Sequence, residues 1–294
     1  MKNRIFALLL ALSLLFASSA CTEKESTTDA ESTSKIGSSD ESSPSNSSGT
    51  TSVPEQNKVS FTPNTTVKRY FEDIDYYDET YSETIRYLLH EPIRKTGEDY
   101  PLFIFLHGLY ETVNTDSLGT ALQPVEALMS LENLNEKYSA YVLVPKTPLP
   151  EEGWWQENQI EALKALIIRT MVDYDIDIKR VYLSGISMGG YTICRLVNEM
   201  PKNTFAAVVT FSAASNLYNP TDHFNTGFRI YHAEKDETIS PGCSVSLGEQ
   251  LKAAGHKNAE YTVFEGGDHL SPLKSVFRDD RYDFFDWLFA QKLP

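Results

Sequence analysis

Cysteine is scarce in this sequence, and its metal-ligating residues never cluster. Three cysteines and six histidines are spread over 294 residues with no CxxC or HExxH spacing. Three thiols cannot build a disulfide framework, and the missing spacings exclude the common zinc sites, so neither a metal nor a cofactor is expected. Positive charge is short as well. Lys and Arg number 26 against 41 Asp and Glu, a net charge of −15. So acidic a chain repels a phosphate backbone, which removes nucleic acid as an expected partner. Long apolar runs are also missing: the longest, residues 5–17, falls short of the roughly 20 residues that span a bilayer. Apolar content is nonetheless 41%, enough for a sizeable core.

The short apolar run has a different meaning at its position. Lys2 and Arg4 precede it, and Ser18, Ser19 and Ala20 follow it, so residues 1–20 read as an export signal. Cys21 comes directly after the small residues, which resembles the lipobox of bacterial lipoproteins, with Ser18 where that pattern usually has Leu. A lipid on Cys21 would anchor the exported chain to a membrane; a cut before an unmodified Cys21 is the alternative. The residues that follow favour the lipid. Ser and Thr fill roughly half of positions 22–57 and large apolar residues are almost absent, so residues 21–60 cannot bury enough surface to fold and read as a tether. A coil of that length spans roughly 35 Å. Residues 61–294 are then the single folded domain, facing the outside of the cell membrane.

That domain alternates between two periods. Residues 66–73 and 84–89 are rich in β-branched and aromatic residues with polar Tyr76-Tyr77-Asp78-Glu79 between them, the pattern of an antiparallel hairpin. Pro101 then opens the unbroken apolar run Leu102-Phe103-Ile104-Phe105-Leu106, as in a strand buried on both faces. A helical pattern follows at Leu122, Val125, Leu128 and Met129, then a strand over 140–144, a loop with Pro148, Pro150, Trp154 and Trp155, and a helix marked by Ile160, Leu163, Ile167 and Met171. Strands over 181–183, 205–211, 228–232 and 261–264 continue the series, with helices over 244–254 and 282–289. Such alternation predicts an α/β fold, a mainly parallel central sheet with helices on both faces.

The chemistry centres on Gly185-Ile186-Ser187-Met188-Gly189. An apolar strand before this GxSxG and a helical pattern after it form a strand-turn-helix elbow, with glycines where side chains would collide across the turn. Ser187 stands exposed there as a nucleophile, and the N–H of Met188, at the helix start, is placed to bind an oxyanion. A second donor is expected from the turn His107-Gly108-Leu109-Tyr110 at the end of the 102–106 strand: Leu109 or, alternatively, Tyr110, which also reads as a substrate contact. For His107 itself, bracing that loop is the favoured reading over proton transfer. Two polar groups follow later strands, Asp236 after 228–232 and His269 after 261–264, where ligands bind in parallel sheets. Glu234, Glu237 and Asp268 compete for the acid's role. Cys194 and Cys243 are expected as buried free thiols.

The order Ser187, Asp236, His269 and the stretches PLFIFLHG, GISMGGY, YHAEKDETISP and GGDH resemble α/β-hydrolase fold serine esterases, nearest to the feruloyl and acetyl esterase, polyhydroxybutyrate depolymerase and phospholipase/carboxylesterase branches. The resemblance covers residues from about 64 onwards. It implies that Ser187 is the nucleophile, His269 the general base and later acid, Asp236 the residue that orients the imidazole, and Leu109 with Met188 the oxyanion hole. The further glycines of HGGG lipases are absent from HGLY. The function implied is hydrolysis of carboxylic esters, with small-molecule or polysaccharide esters as substrates; a serine peptidase of the same fold and an inactive ligand-binding lipoprotein are the alternatives. Trp154 and Trp155 read either as core or as a platform for the acyl or sugar group.

Overall fold

Apolar runs with no polar interruption need cover on both sides, and they supply the centre of one eight-stranded sheet. The structure, a computed structural model, describes residues 71–92, 95–109, 123–133, 135–147, 153–279 and 281–294. Residues 1–60 with the expected signal, Cys21 and tether, residues 66–70 of the first expected strand, Tyr110, Leu122, Pro148 and Pro150 lie outside the described residues. In chain order the elements are β1 (Glu72–Asp78), β2 (Glu83–His90), β3 (Tyr100–Leu106), α1 (Gln123–Glu132), β4 (Tyr141–Lys146), α2 (Glu157–Asp173), β5 (Ile176–Ile186), α3 (Met188–Glu199), β6 (Ala207–Phe211), β7 (Gly227–Ala233), α4 (Gly242–Ala253), β8 (Ala259–Phe264), α5 (Ser271–Asp279) and α6 (Arg281–Ala290). They lie side by side as β1-β2-β4-β3-β5-β6-β7-β8. The pairs β1–β2 and β2–β4 are antiparallel, and the rest are parallel.

Alternation along β3 explains the two-sided core. Leu102, Ile104 and Leu106 pack with Ile160, Leu163 and Ile167 of α2 and with Ile193 and Leu196 of α3. Phe103 and Phe105 point the other way, against Leu128 of α1, Phe277 of α5 and Phe284 and Phe285 of α6. Each such side chain contributes about 1.5–3 kcal/mol by leaving water. No helix among the described residues is long and apolar enough to cross a membrane.

The connections locate the functional end of the sheet. From β3 the chain passes through α1, on one face, to β4; from β5 it passes through α3, on the opposite face, to β6. The order thus reverses between the adjacent strands β3 and β5, and a crevice opens at their carboxyl ends.

Two local expectations shift. The hairpin is present, but Tyr76-Tyr77-Asp78 belongs to β1 rather than to the connection. Ile74 and Tyr76 face Tyr87 and Ile85 across the pair, and this cross-strand contact outweighs the polar look of the segment. The turn begins where Asp78 Oδ1 accepts the N–H groups of Thr80 and Tyr81 at 2.9 and 3.1 Å. Helix α5 has no counterpart in the sequence expectation; Leu273, Val276 and Phe277 bury one of its faces.

Candidate active site

The elbow forms as its residues dictate. Ser187 has φ 57° and ψ −121°, a region that costs a non-glycine residue about 1–3 kcal/mol. Neighbours hold it there: its N–H donates to Phe211 O of β6 at 2.9 Å, and its carbonyl accepts the Tyr191 N–H at 3.2 Å. The flanking glycines are needed chiefly against β3, not only across the turn. A Cβ at Gly185 would lie 2.6 Å from the Leu106 carbonyl oxygen, and one at Gly189 would strike the same oxygen. Met188 opens α3, and the helix leaves N–H groups of its first turn without an internal acceptor. They are free to meet an anion.

The acid and the imidazole arrive from two other strand ends. Asp236 Oδ2 lies 2.7 Å from His269 Nδ1, while Oδ1 accepts the N–H groups of Thr238 and Ile239 at 2.9 and 3.0 Å. Burial by itself would raise the pKa of this carboxyl; the Ile239 N–H, the His269 ring and the Thr238 N–H outweigh it and hold the group below the usual carboxylate range. It is therefore an anion at neutral pH. The rival acids are engaged elsewhere: Glu234 accepts the Gly266 N–H, and Asp268 accepts the Leu270 N–H and the Ser271 hydroxyl. Glu237 stands on the rim of a cleft of about 590 Å³ that Ser187, His269, Gly108 and Leu109 line together.

The turn after β3 runs alongside the serine. A Cβ on Gly108 would lie 3.5 Å from Ser187 Cβ, and Leu109 follows at the cleft wall. His107 holds this turn. Its Nδ1 lies 2.7 Å from Gly108 O and its Nε2 accepts the Thr147 N–H at 3.2 Å, which joins the ends of β3 and β4. Full burial pushes its pKa down to about 4, so the ring is neutral and both nitrogens are used by backbone. It is a brace.

No family model matches the sequence, and no curated protein does. Solved structures do. A thermostable esterase superposes with a TM-score of 0.66 at 26% identity, covering 76% of this chain and 64% of its own. The chain thus spans slightly less than two thirds of that esterase. A ferulic acid esterase from Anaeromyces mucronatus gives 0.54 at 16% identity, with coverages of 81% and 96%. The acylaminoacyl peptidase of Pyrococcus horikoshii gives 0.57 at 16%, with 78% and 43%. This is the α/β-hydrolase fold.

Within the α/β-hydrolase fold the two tryptophans separate. Trp154 is a correction: expected at the substrate rim, it is 1% exposed and packed in the core, 6.3 Å from the His107 ring. Trp155 is 53% exposed. With Tyr191, Thr192 and Arg195 the pair lines a second hollow of about 390 Å³. Neither indole lines the cleft of Ser187 and His269. The physical reason is apolar cover: Trp154 joins the core cluster of Ile160, Leu163 and Met188, next to a turn at Gly153 where a Cβ would strike the Met188 sulfur and the Trp155 ring.

Other side chains near this site carry weak sequence signals. Ser212, at φ 55° beyond β6, donates its hydroxyl to His269 O at 2.6 Å and so ties the His269 loop to the sheet. His232, on β7, lies 3.1 Å from the same Asp236 oxygen that meets His269. Position at a strand end was the available clue to both. Cys194 is buried as expected, whereas Cys243 is only partly so. Burial would raise the Cys243 thiol, but His232, the Ala214 backbone and Tyr191 draw it down to about 7. Among the described residues one acidic group, Glu157, Glu161 and Glu199, gathers within 4.8 Å. Arg195 bonds Glu157 and Glu199, and Lys164 bonds Glu161 and Glu199, so bound cations already satisfy it.

Proposed function

We propose that this chain is an exported, lipid-anchored serine hydrolase that cleaves carboxylic esters through an acyl-enzyme. The observation that carries the reading is the 2.7 Å contact between buried Asp236 and His269, in a cleft shared with Ser187 on its strained elbow. A serine hydroxyl is a weak nucleophile until an imidazole takes its proton. Here His269, with Nδ1 held by Asp236, offers Nε2 for that proton as Ser187 Oγ attacks the ester carbon. The N–H groups of Met188 and Leu109 receive the carbonyl oxygen as it gains charge. His269 then returns the proton to the departing alcohol, and water, activated by the same ring, frees the acid and restores Ser187.

Acetyl or feruloyl esters of polysaccharides are the proposed substrates, supported by the similarity in fold to esterases, among them ferulic acid esterases. Trp155, the exposed indole, is the proposed contact for an aryl or sugar group, in the hollow it lines with Tyr191, Thr192 and Arg195 of α3. Export and anchoring rest on residues 1–20, Cys21 and the Ser/Thr-rich stretch after it.

A fluorophosphonate probe tests the chemistry: covalent capture at Ser187, lost in Ser187→Ala, with turnover of acetyl or feruloyl esters, is the expected result. Capture accompanied by hydrolysis of acylaminoacyl amides and not of esters would make the chain a peptidase. No capture by folded protein would leave a ligand-binding protein. Mass spectrometry of membrane-fraction protein checks the anchor, since an unmodified Cys21 at a free N-terminus contradicts it.

A further inference from the structure

The end of β6 touches both the serine and the imidazole. Phe211 O accepts the Ser187 N–H at 2.9 Å, and the next residue, Ser212, donates its hydroxyl to His269 O at 2.6 Å. One dipeptide thus holds the backbone of the nucleophile on one side and that of the base on the other. Its own place is firm. Phe211 pairs with Tyr231 of β7, the Ser212 N–H donates to Tyr231 O at 2.8 Å, and both residues are 0% exposed. Ser212 has φ 55°, a conformation that non-glycine residues rarely adopt. Its neighbours keep it there, and the hydroxyl on this strained backbone goes to His269.

The loop that carries His269 needs such a tie. Gly266 and Gly267 stand before Asp268 at φ 67° and 76°, and glycine backbone holds a direction weakly. The bond from the Gly266 N–H to Glu234 lies before that swivel. Those from the Leu270 N–H and the Ser271 hydroxyl to Asp268 stay inside the loop. The contact of Nδ1 with Asp236 orients the ring; the spacing of the ring from Ser187 needs a hold on the His269 peptide as well. We propose that Ser212 is a positioning residue of the hydrolytic site: its buried hydroxyl pins that peptide to the strand end that also holds Ser187, and so sets the distance over which the proton moves. The proposal rests on the reading of Ser187, Asp236 and His269 as the reacting set. A misplacement of about 1 Å in such a set can cost on the order of 10²-fold in rate. His269 serves both acyl transfer to Ser187 and release by water. A displaced ring therefore slows both steps together and leaves KM nearly constant.

The test compares Ser212→Ala, Ser212→Gly and Thr226→Val with wild type, at a temperature well below every Tm. It reads kcat and KM on a small acetyl ester, the rate of fluorophosphonate capture at Ser187, and Tm itself. Alanine and glycine both remove the hydroxyl, but glycine suits φ 55° and alanine does not, so the two variants should differ in Tm. Thr226→Val removes a similar bond, from the Thr226 hydroxyl to Phe205 O at 2.8 Å, beside the amino ends of β6 and β7. Both Ser212 variants should lose about 10-fold in kcat and in capture rate with KM changed by less than about 2-fold, whereas Thr226→Val should lower Tm with kcat within about 2-fold of wild type. Activity that follows Tm, so that Ser212→Gly recovers what Ser212→Ala loses, makes the hydroxyl a matter of stability and overturns the proposal. Unchanged kcat in either Ser212 variant overturns it too, as does failure of both to fold. Wild-type protein that neither labels at Ser187 nor hydrolyses an ester overturns the hydrolase reading itself, an outcome distinct from active wild type with unimpaired Ser212 variants.

Discussion

Two loops flank Ser187, one leaving β3 and one leaving β8, and each carries a histidine at the carboxyl edge of the same sheet. They are chemically opposite. The His107 ring is fully enclosed, gives Nδ1 to the carbonyl of Gly108 and spends Nε2 on the Thr147 N–H. The His269 side chain keeps 19% of its surface open, gives Nδ1 to a buried carboxylate and faces the cleft. A histidine with both nitrogens occupied by backbone holds a turn in shape; one backed by an anion and open at Nε2 can move protons. Second partners, and not residue type, separate the brace from the proposed base.

The largest expected effect tests that separation directly. His269→Ala, like Ser187→Ala, should lower ester turnover by about 10³-fold or more without loss of fold, and Asp236→Asn should follow closely because it leaves the ring in the wrong tautomer. His107→Gln should cost far less, about 10-fold, through a looser Leu109 turn. Rate measurements on all four variants decide it. Near-normal turnover in Asp236→Asn, with the loss appearing in Glu234→Gln or Asp268→Asn, would reassign the acid.

The next effect is on stability. The native pKa of His107 lies near 4 against 6.5 for a free ring, so below pH 6.5 the unfolded chain binds the proton that the folded one refuses. Stability is whole above pH 6.5 and falls as pH drops toward 4, by about 1.4 kcal/mol per pH unit and about 3 kcal/mol in all. Asp236, with its pKa held below the ordinary value, contributes in a lower window, its share being lost as pH falls below the carboxylate range. Urea unfolding at pH 7 and pH 4.5 should therefore differ markedly for wild type and much less for His107→Gln. Equal slopes would show that the brace titrates freely.

The smallest effect sharpens a second contrast, between the adjacent indoles. Trp155→Ala should lower kcat/KM on an aryl or glycosyl ester about 5-fold while a simple acetyl ester is hydrolysed nearly as before. Trp154→Ala should instead cost about 3–5 kcal/mol of stability, read as a lower Tm. A Trp155 variant with equal losses on both esters would remove that residue from substrate contact.

Much of this molecule was legible in its residues because the signals were local. The unbroken run 102–106 requires two covered faces, the glycines at 185 and 189 require close backbone approach, and the spacing of Ile160, Leu163 and Ile167 puts them on one helix face. Strand ends that carry Ser187, Asp236 and His269 follow from the same alternation of periods. What the sequence could not decide depends on neighbours far along the chain. Which carboxylate reaches His269 is fixed by how two loops 33 residues apart fold beside each other, and the burial of Trp154 by the apolar cluster it joins with Met188 and Ile193 of α3. His232 looks like one more strand residue until Asp236 and Ser244 are seen on either side of it. Local steric and periodic rules act through a few bonds and can be read in order; solvation and hydrogen-bond partnership depend on what the whole fold brings within about 3 Å, and only the assembled sheet and its loops determine that.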